Sequence, residues 1–334
     1  MRESRIRVIQ YGLGPIGIEA AKYALKKSFI EIVGAVDVAP GFAGKDLGEV
    51  LGVGRTLDIP VSDNPSKLLA HLPADAVIHA AGSRMKTIFP QIMEIVESGK
   101  NIISSSEELL FPSKENRTLA DRLHQKAIER GVTVLGTGVN PGFVMDALPL
   151  FMTGVCQEVK SIHVVRVVDA ATRRYPLQKK IGAGMSPEVF RAKMEEKAMG
   201  HVGLSESLSL IASQVGLGLD EVTETVEPAV AEKPVKTKYF DLKAGDIAGI
   251  KNTAIGYRKG VPVITLDLRM YIGAEDPHDA VSIEGTPPVS LRIEGGVAGD
   301  TATAAILVNS IPAVVAAPPG LVTVKDLPFP FFRA

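Results

Sequence analysis

The chain has 334 residues, enough for two domains and a large core. It is 46% hydrophobic and 22% charged, with a net charge of −1 and no block of Lys or Arg, so nothing electrostatic points to a nucleic acid or an anionic membrane as partner. The single cysteine, Cys156, excludes an intrachain disulfide and a cysteine-built zinc site, and suits a reducing cytoplasm.

The opening "MRESRIRVIQYG" enters a strand pattern at once, with no apolar signal-peptide core behind its charges. "RVIQY" is the first strand. "PIGIEAAKYALKK" follows with helical spacing of Ile16, Ala20, Tyr23 and Ala24. "EIVGAVD", a weak "PVSD" and "DAVIHAA" are the next strands. "KTIFPQIMEIVESG" is a helix despite its proline, and "NIISS" the fifth strand. "SKENRTLADRLHQKAIERG" is a helix with Ser113 as its expected cap, and "VTVLG" the sixth strand. Strands alternating with helices predict βαβ units and a parallel, doubly wound Rossmann sheet.

After about residue 156 the pattern changes. "KSIHVVRVVD", "EVTETVEPAV", "VKTKYFDL", "DIAGIKNTAIGYR", "VPVITLDLRMYIG" and "VSLRIEG" follow one another as strands. They are interrupted by the helices "SPEVFRAKMEEKAM", capped by Ser186 with Pro187 first, and "GLSESLSLIASQVG". Strands without crossover helices predict an α+β domain with a largely antiparallel sheet. "GDTATAAILVNSIPAVV" reads as a final helix capped by Asp300. The apolar stretch around it is broken by Asn309, Ser310 and three prolines, too interrupted to span a bilayer. The expected domains are residues 1–142, 143–298, and a C-terminal helix and tail, 299–334, returning to the first.

"YGLGPIGIEAAK" places Gly12, Gly14 and Gly17, with Leu13, Pro15 and Ile16 between them, directly after a strand and at a helix start. Gly12 suits a tight turn, Gly14 a close approach of backbone to a pyrophosphate, and Gly17 close packing of helix on strand. Alone, such spacing is weak evidence. Asp37, at the end of the second strand, supplies the acid expected to meet the adenosine ribose. Val38-Ala39-Pro40 follows with no arginine for a 2′-phosphate, which predicts NAD as the preferred cofactor, with NADP tolerated. Ala80, Ala81, Gly82 and Ser83 end the fourth strand, where small residues would admit the nicotinamide ribose. In "GTGVNPGF", Asn140, followed by Pro141, would bond the nicotinamide carboxamide or else cap a helix beginning near Phe143. No flavin or metal signature is present, the six histidines being scattered.

"SSSEELLFP", residues 104–112, begins at the carboxyl end of the fifth strand, beside the expected nicotinamide. Two readings stand. Serines followed by Glu107 and Glu108 suit a helix start, where acids favour the dipole. Equally, a carboxyl group in a half-buried apolar pocket has a raised pKa and makes a general base near neutral pH.

"QYGLGPIG", "GKDLGEVLG", "SSSEELLFP", "GTGVNPGFVMD", "RYPLQKKIGAGMSPEVF", "GHVGLSES" and "GDTATAAILVNSIP" together resemble the 2,4-diaminopentanoate dehydrogenase and native amine dehydrogenase group, related in fold to dihydrodipicolinate reductase. The resemblance covers about residues 7 to 315. It implies NAD(P)-linked deamination of an amine to a ketone or aldehyde, reversible with ammonia. It also implies a homodimer, and a catalytic glutamate carried onto Glu107, with Glu108 second and Ser105 beside the cofactor. The His-His-x-x-Lys run of dihydrodipicolinate reductases is absent, which argues against that activity.

Substrate contacts are expected from Phe143 and Leu148 as apolar walls and from Arg166, Tyr175, His201 and Thr303, with Asp169, Arg173 and Arg174 as further candidates. An arginine in the pocket would favour a substrate carboxylate; apolar walls alone would favour plain amines and ketones. The rival readings are 2,4-diaminopentanoate dehydrogenase itself and a non-catalytic NAD-binding sensor.

Overall fold

The computed structural model describes residues 5–195 and 199–334; the end of the helix expected over 186–199 therefore lies partly outside the described residues. In chain order, β1 (Ile6–Tyr11), α1 (Pro15–Ala24), β2 (Ile30–Val36), α2 (Leu47–Leu51), β3 (Val61–Ser62), α3 (Pro65–His71) and β4 (Ala76–His79) come first. They are followed by α4 (Met85–Glu97), β5 (Asn101–Ser104), α5 (Arg117–Arg130) and β6 (Thr133–Gly136). The chain then forms α6 (Ala147–Thr153), β7 (Glu158–Asp169), α7 (Tyr175–Lys180), α8 (Pro187–Glu195) and α9 (Leu204–Val215). Next are β8 (Glu221–Val230), the short β9 (Val235–Lys236) and β10 (Asp241–Leu242), and β11 (Ile247–Arg258), β12 (Val261–Tyr271), β13 (His278–Thr286) and β14 (Val289–Glu294). The last elements are α10 (Gly299–Val315) and β15 (Gly320–Val322).

Two compact units result, residues Met1–Phe143 with Ala298–Ala334, and Val144–Val297. In the first, seven parallel strands run in the order β15-β6-β5-β4-β1-β2-β3. Adjacent residues of one strand serve opposite layers, as pleating requires. Val8, Ile78, Ile103 and Leu135 pack with Ala20 and Ala24 of α1 and Leu307, Val308 and Ile311 of α10. Ile9, Val77, Ile102 and Val134 pack with Ile88, Ile92 and Ile95 of α4 and Leu123 of α5. Burial on both faces explains why these strands are continuous apolar runs rather than alternating ones. Strand order reverses at β1, which pairs with β2 on one side and β4 on the other, and in such sheets the ligand crevice opens at that point.

The second unit holds a six-stranded sheet, β14-β13-β7-β12-β11-β8. It is antiparallel except at its centre, where β7 and β12 run parallel, Val164 opposite Leu266. Helices α6 and α9 pack on one face. Among the described residues no helix is long and apolar enough to cross a membrane.

Several local expectations are corrected. Asn140 caps nothing: the next helix starts at Ala147, whose N–H is held by Asp146 Oδ1 at 2.6 Å. Ser113 precedes a 3₁₀ turn and makes no side-chain cap bond. Asp300 lies inside the first turn of α10, whose N-cap is Ala298. "VKTKYFDL" is not one strand but the hairpin β9–β10, in which Val235 pairs with Leu242. The elements α2, α3, α6, α7 and β15 were too short to carry a periodic signal, and β13 was hidden by its polar alternation.

Candidate active site

The carboxyl ends of β1, β4, β5 and β6 meet in the first unit. At β1, Gly12 turns at φ +90°, and a Cβ there would lie 2.5 Å from the Ala80 carbonyl oxygen, so the β4 exit sits directly against the glycine turn. A Cβ on Gly17 would lie 1.9 Å from the Gly12 oxygen, which only glycine tolerates. A Cβ on Gly14 would meet nothing within 4 Å. That open space lies at the N-cap of α1, with no side chain using the helix's first N–H groups and Pro15 opening the helix. It suits a pyrophosphate.

Asp37 closes the turn from the β2 side. Its Oδ2 accepts the Leu13 N–H at 2.5 Å and its Oδ1 the Ala39 N–H at 2.7 Å. Leu13 itself is buried in the core, Ile16 is half-buried, and Val38 is 70% exposed.

The β5 exit is bolted to the loop before α4. Ser106 Oγ donates to the Gly82 oxygen at 2.6 Å, the Ser105 N–H to the His79 oxygen at 3.0 Å, and the Glu108 N–H to the Ser83 oxygen at 3.1 Å. Glu107 begins the 3₁₀ turn Glu107–Leu109 and is half-buried. The two glutamates have separate environments. Glu108 Oε2 accepts the Met85 N–H at 2.7 Å and the Asn116 amide at 3.1 Å, and its Oε1 lies 3.4 Å from Arg84. Glu108 thus caps α4, whose own N-cap residue Arg84 makes no side-chain capping bond. It serves as an acid at a helix start, that of α4 rather than of its own turn, and the fold alone brings the two together. The second catalytic candidate, Glu108, has its carboxylate engaged by Met85, Asn116 and Arg84. Leu109 and Leu110 are fully buried, Leu109 in the layer under α4 and α5, so they anchor the turn rather than wall a pocket.

The segment after β6 completes the crevice. The Thr137 N–H donates to the Ser104 oxygen at 2.8 Å. Thr303 Oγ1, from α10, accepts the Val139 N–H at 3.2 Å. Thr303 therefore holds the loop bearing Asn140 and Pro141, a task different from the substrate contact expected of it. Both amide atoms of Asn140 are shut from solvent without a hydrogen-bond partner, as is Thr137 Oγ1. Buried amides are normally paired, so these orphaned atoms, the open space at Gly14 and the acid at the glycine turn together fit a nicotinamide dinucleotide. Phe143 packs on Phe329 of the C-terminal tail, ring centroids 5.8 Å apart.

A family model described as the 2,4-diaminopentanoate dehydrogenase C-terminal domain matches residues 143–332. A 2,4-diaminopentanoate dehydrogenase of Acetoanaerobium sticklandii is 35% identical over 98% of this chain and 94% of its own. The chain belongs to the 2,4-diaminopentanoate dehydrogenase family. An amine dehydrogenase of Streptomyces virginiae is 25% identical over 97% of this chain and 96% of its own. The solved structure of an amine dehydrogenase from Mycobacterium smegmatis superposes with a TM-score of 0.88 at 27% identity, covering 99% of this chain and 98% of that one.

In this member of the 2,4-diaminopentanoate dehydrogenase family, the substrate candidates of the second unit divide. Arg166 is corrected: it is 3% exposed, its Nη1 donates to both Asp279 oxygens at 2.7 Å, and its Nη2 donates to the Val297 oxygen at 2.8 Å. Its guanidinium is spent inside the protein. Tyr175 is exposed and packs on Tyr239 and Phe240. Leu148 is half-buried in α6, and Asp169 Oδ1 accepts the Ala171 and Gly273 N–H groups. His201 keeps its place as a candidate. Its backbone N–H is held by Asn252 Oδ1 at 2.8 Å, while its Nδ1 is buried with no partner. Burial, with Lys180 and Arg166 nearby, drives its pKa down to about 3.

Sequence reasoning missed the polar groups beneath the crevice: Gln10, His79, Ser104, Ser106 and Thr137 are all buried. A histidine within the apolar run "DAVIHAA" was the one available signal.

Proposed function

We propose that the protein is an NAD(P)-dependent amine dehydrogenase, interconverting an amine with a ketone or aldehyde plus ammonia, and that Glu107 is its proton-handling group. The observation that carries this is the half-buried Glu107 on a turn bolted between the β4 and β6 exits, beside the glycine turn. The Gly12–Gly17 turn would hold the pyrophosphate, Asp37 the adenosine ribose, the Ala80–Ser83 segment the nicotinamide ribose, and Asn140 the carboxamide. When bound, the reduced nicotinamide supplies the hydride.

Glu107 passes a proton from the adding ammonia to the carbonyl oxygen, which gives the neutral carbinolamine, and then delivers a second proton, taken up from solvent, to the departing hydroxyl. Water leaves, and the carboxylate stabilises the cationic iminium that remains. Fixing the carboxylate beside the reacting carbon lowers the entropic part of the barrier. With no basic side chain among Val38, Ala39 and Pro40 to pair a 2′-phosphate, NAD is the preferred cofactor and NADP is tolerated.

The second reading is 2,4-diaminopentanoate dehydrogenase itself. It is favoured by the higher identity to that enzyme and by His201, whose unpartnered Nδ1 lies near Lys180, the Arg166 charge being already paired with Asp279. Such surroundings suit a substrate carboxylate. One experiment separates the readings: simple ketones with ammonia and NADH or NADPH, set against 2,4-diaminopentanoate with NAD. Turnover of several ketones, faster with NADH, is expected. Activity confined to the diamino acid would establish the second reading, and tight NADH binding with no turnover of any compound would leave a sensor.

The homodimer implied by the resemblance has a candidate surface in the second unit. The sheet face opposite α6 and α9 presents Val165, Ile255, Thr265, Ala280 and Tyr257, all only half-buried. Sedimentation at micromolar concentration is expected to give a dimer, and Val165→Asp to give a monomer; a wild-type monomer would refute this assembly.

A further inference from the structure

His79 ends β4 in the interior of the first unit, fully buried, and the chemistry proposed above makes no use of it. Its surroundings define its state. Nε2 lies 3.0 Å from Gln91 Oε1, an acceptor only, so Nε2 carries the proton and donates. Nδ1 is then an acceptor and takes the Ser104 hydroxyl at 2.9 Å. With its proton committed, Ser104 Oγ accepts the Ser106 N–H at 3.2 Å. Burial pushes the imidazole pKa down to about 4, with Gln91 opposing, so the ring is neutral near pH 7. Every donor in the chain Gln91–His79–Ser104–Ser106 thus has one direction.

The chain ends at the residue before Glu107. Ser106 is fixed a second time by its Oγ on the Gly82 oxygen, and the His79 carbonyl itself holds the Ser105 N–H. On its other side the His79 ring packs against Tyr11, centroids 5.4 Å apart, and Tyr11 leads into Gly12. One buried side chain therefore touches both the strand that delivers the glycine turn and the turn that delivers Glu107.

We propose that His79 is a positioning residue of the reaction, whose Nδ1 orients the Ser104 hydroxyl and thereby fixes the Ser104–Ser106 turn at the height Glu107 needs. This rests on Glu107 being the proton-handling group. Its consequence lies in kcat, because a carboxylate displaced by a fraction of an ångström still permits binding while degrading proton transfer.

The experiment uses the full-length protein and four variants, His79→Phe, His79→Asn, Ser104→Ala and the Phe/Ala double, with Glu107→Gln alongside. His79→Phe keeps the ring and loses the acceptor. Asparagine places its Oδ1 where Nδ1 lies. His79→Phe and Ser104→Ala are each expected to lower kcat about tenfold with substrate KM and NADH Kd within about twofold. The double variant should lose no more than either single one, since both cut the same chain, and His79→Asn should recover most of the rate. Unchanged kcat in Ser104→Ala, multiplying losses in the double variant, or no recovery in His79→Asn would each overturn the proposal. Should His79→Phe fail to fold, Ser104→Ala against Ser104→Thr, which keeps the hydroxyl, decides it. Full activity in Glu107→Gln would instead remove the underlying assignment; an inactive Glu107→Gln beside an unimpaired Ser104→Ala removes the positioning role alone.

Discussion

Glu107→Gln is expected to lower kcat for reductive amination by roughly 10²–10⁴-fold, the usual contribution of a positioned general acid–base. Glutamine keeps the shape of the side chain but neither carries a proton between ammonia and hydroxyl nor offsets the iminium charge. NADH affinity should stay within about twofold, because the groups proposed to hold the dinucleotide are the glycine turn, Asp37 and Asn140. Glu108→Gln, next door, should behave differently. Its carboxylate caps α4 through the Met85 N–H and holds Asn116, so the substitution acts on folding stability, by about 0.5–2 kcal/mol for a lost cap, and leaves kcat close to wild type. The two glutamates adjoin in sequence and, on the proposed assignment, separate by function. Steady-state kinetics with NADH titration on both variants checks this; a Glu107→Gln enzyme with undiminished turnover defeats the assignment.

Arg166→Met is expected to cost about 3–5 kcal/mol in unfolding free energy, the loss seen when one partner leaves a buried ion pair. Arg166 and Asp279 are 3% and 4% exposed at their side chains. Removing the guanidinium leaves the Asp279 carboxylate in the interior with only the Val297 N–H, at 2.7 Å, from its present donors. Against a typical total stability of about 5–15 kcal/mol, such a loss would be plain in urea unfolding. Arg166→Met combined with Asp279→Leu should recover much of it, because the desolvated charge goes with its partner. Were Arg166 instead a receptor for a substrate carboxylate, the single substitution would raise KM and leave the urea midpoint unmoved.

The first unit's alternation of strand and helix was legible because its signals are local. A buried parallel strand is a short apolar run, a helix repeats near 3.6 residues, and Gly12 and Gly17 answer to contacts within their own turn and with the neighbouring strand. Asp37 was legible for the same reason, since the second strand's length places it beside the turn. Glu107 could be located at a strand end but not told from Glu108, because what distinguishes them is Met85 and Asn116, brought in by other parts of the chain.

What the sequence by itself determined, then, is the succession of the first six Rossmann strands along the chain, the glycine turn proposed to receive a dinucleotide, and a short list of polar residues at strand ends. Tertiary structure alone decided which of those residues are occupied elsewhere. Arg166 meets Asp279 113 positions away, Thr303 reaches Val139 across 164, and His79 meets Ser104 across 25. A hydrogen bond depends on distance and angle in space, and the residues that satisfy or orphan a buried polar group leave no mark in the pattern around it. For that reason an arginine that reads as a substrate anchor proves to be part of an internal ion pair, and a histidine that reads as part of a strand lies at the base of the turn that carries Glu107.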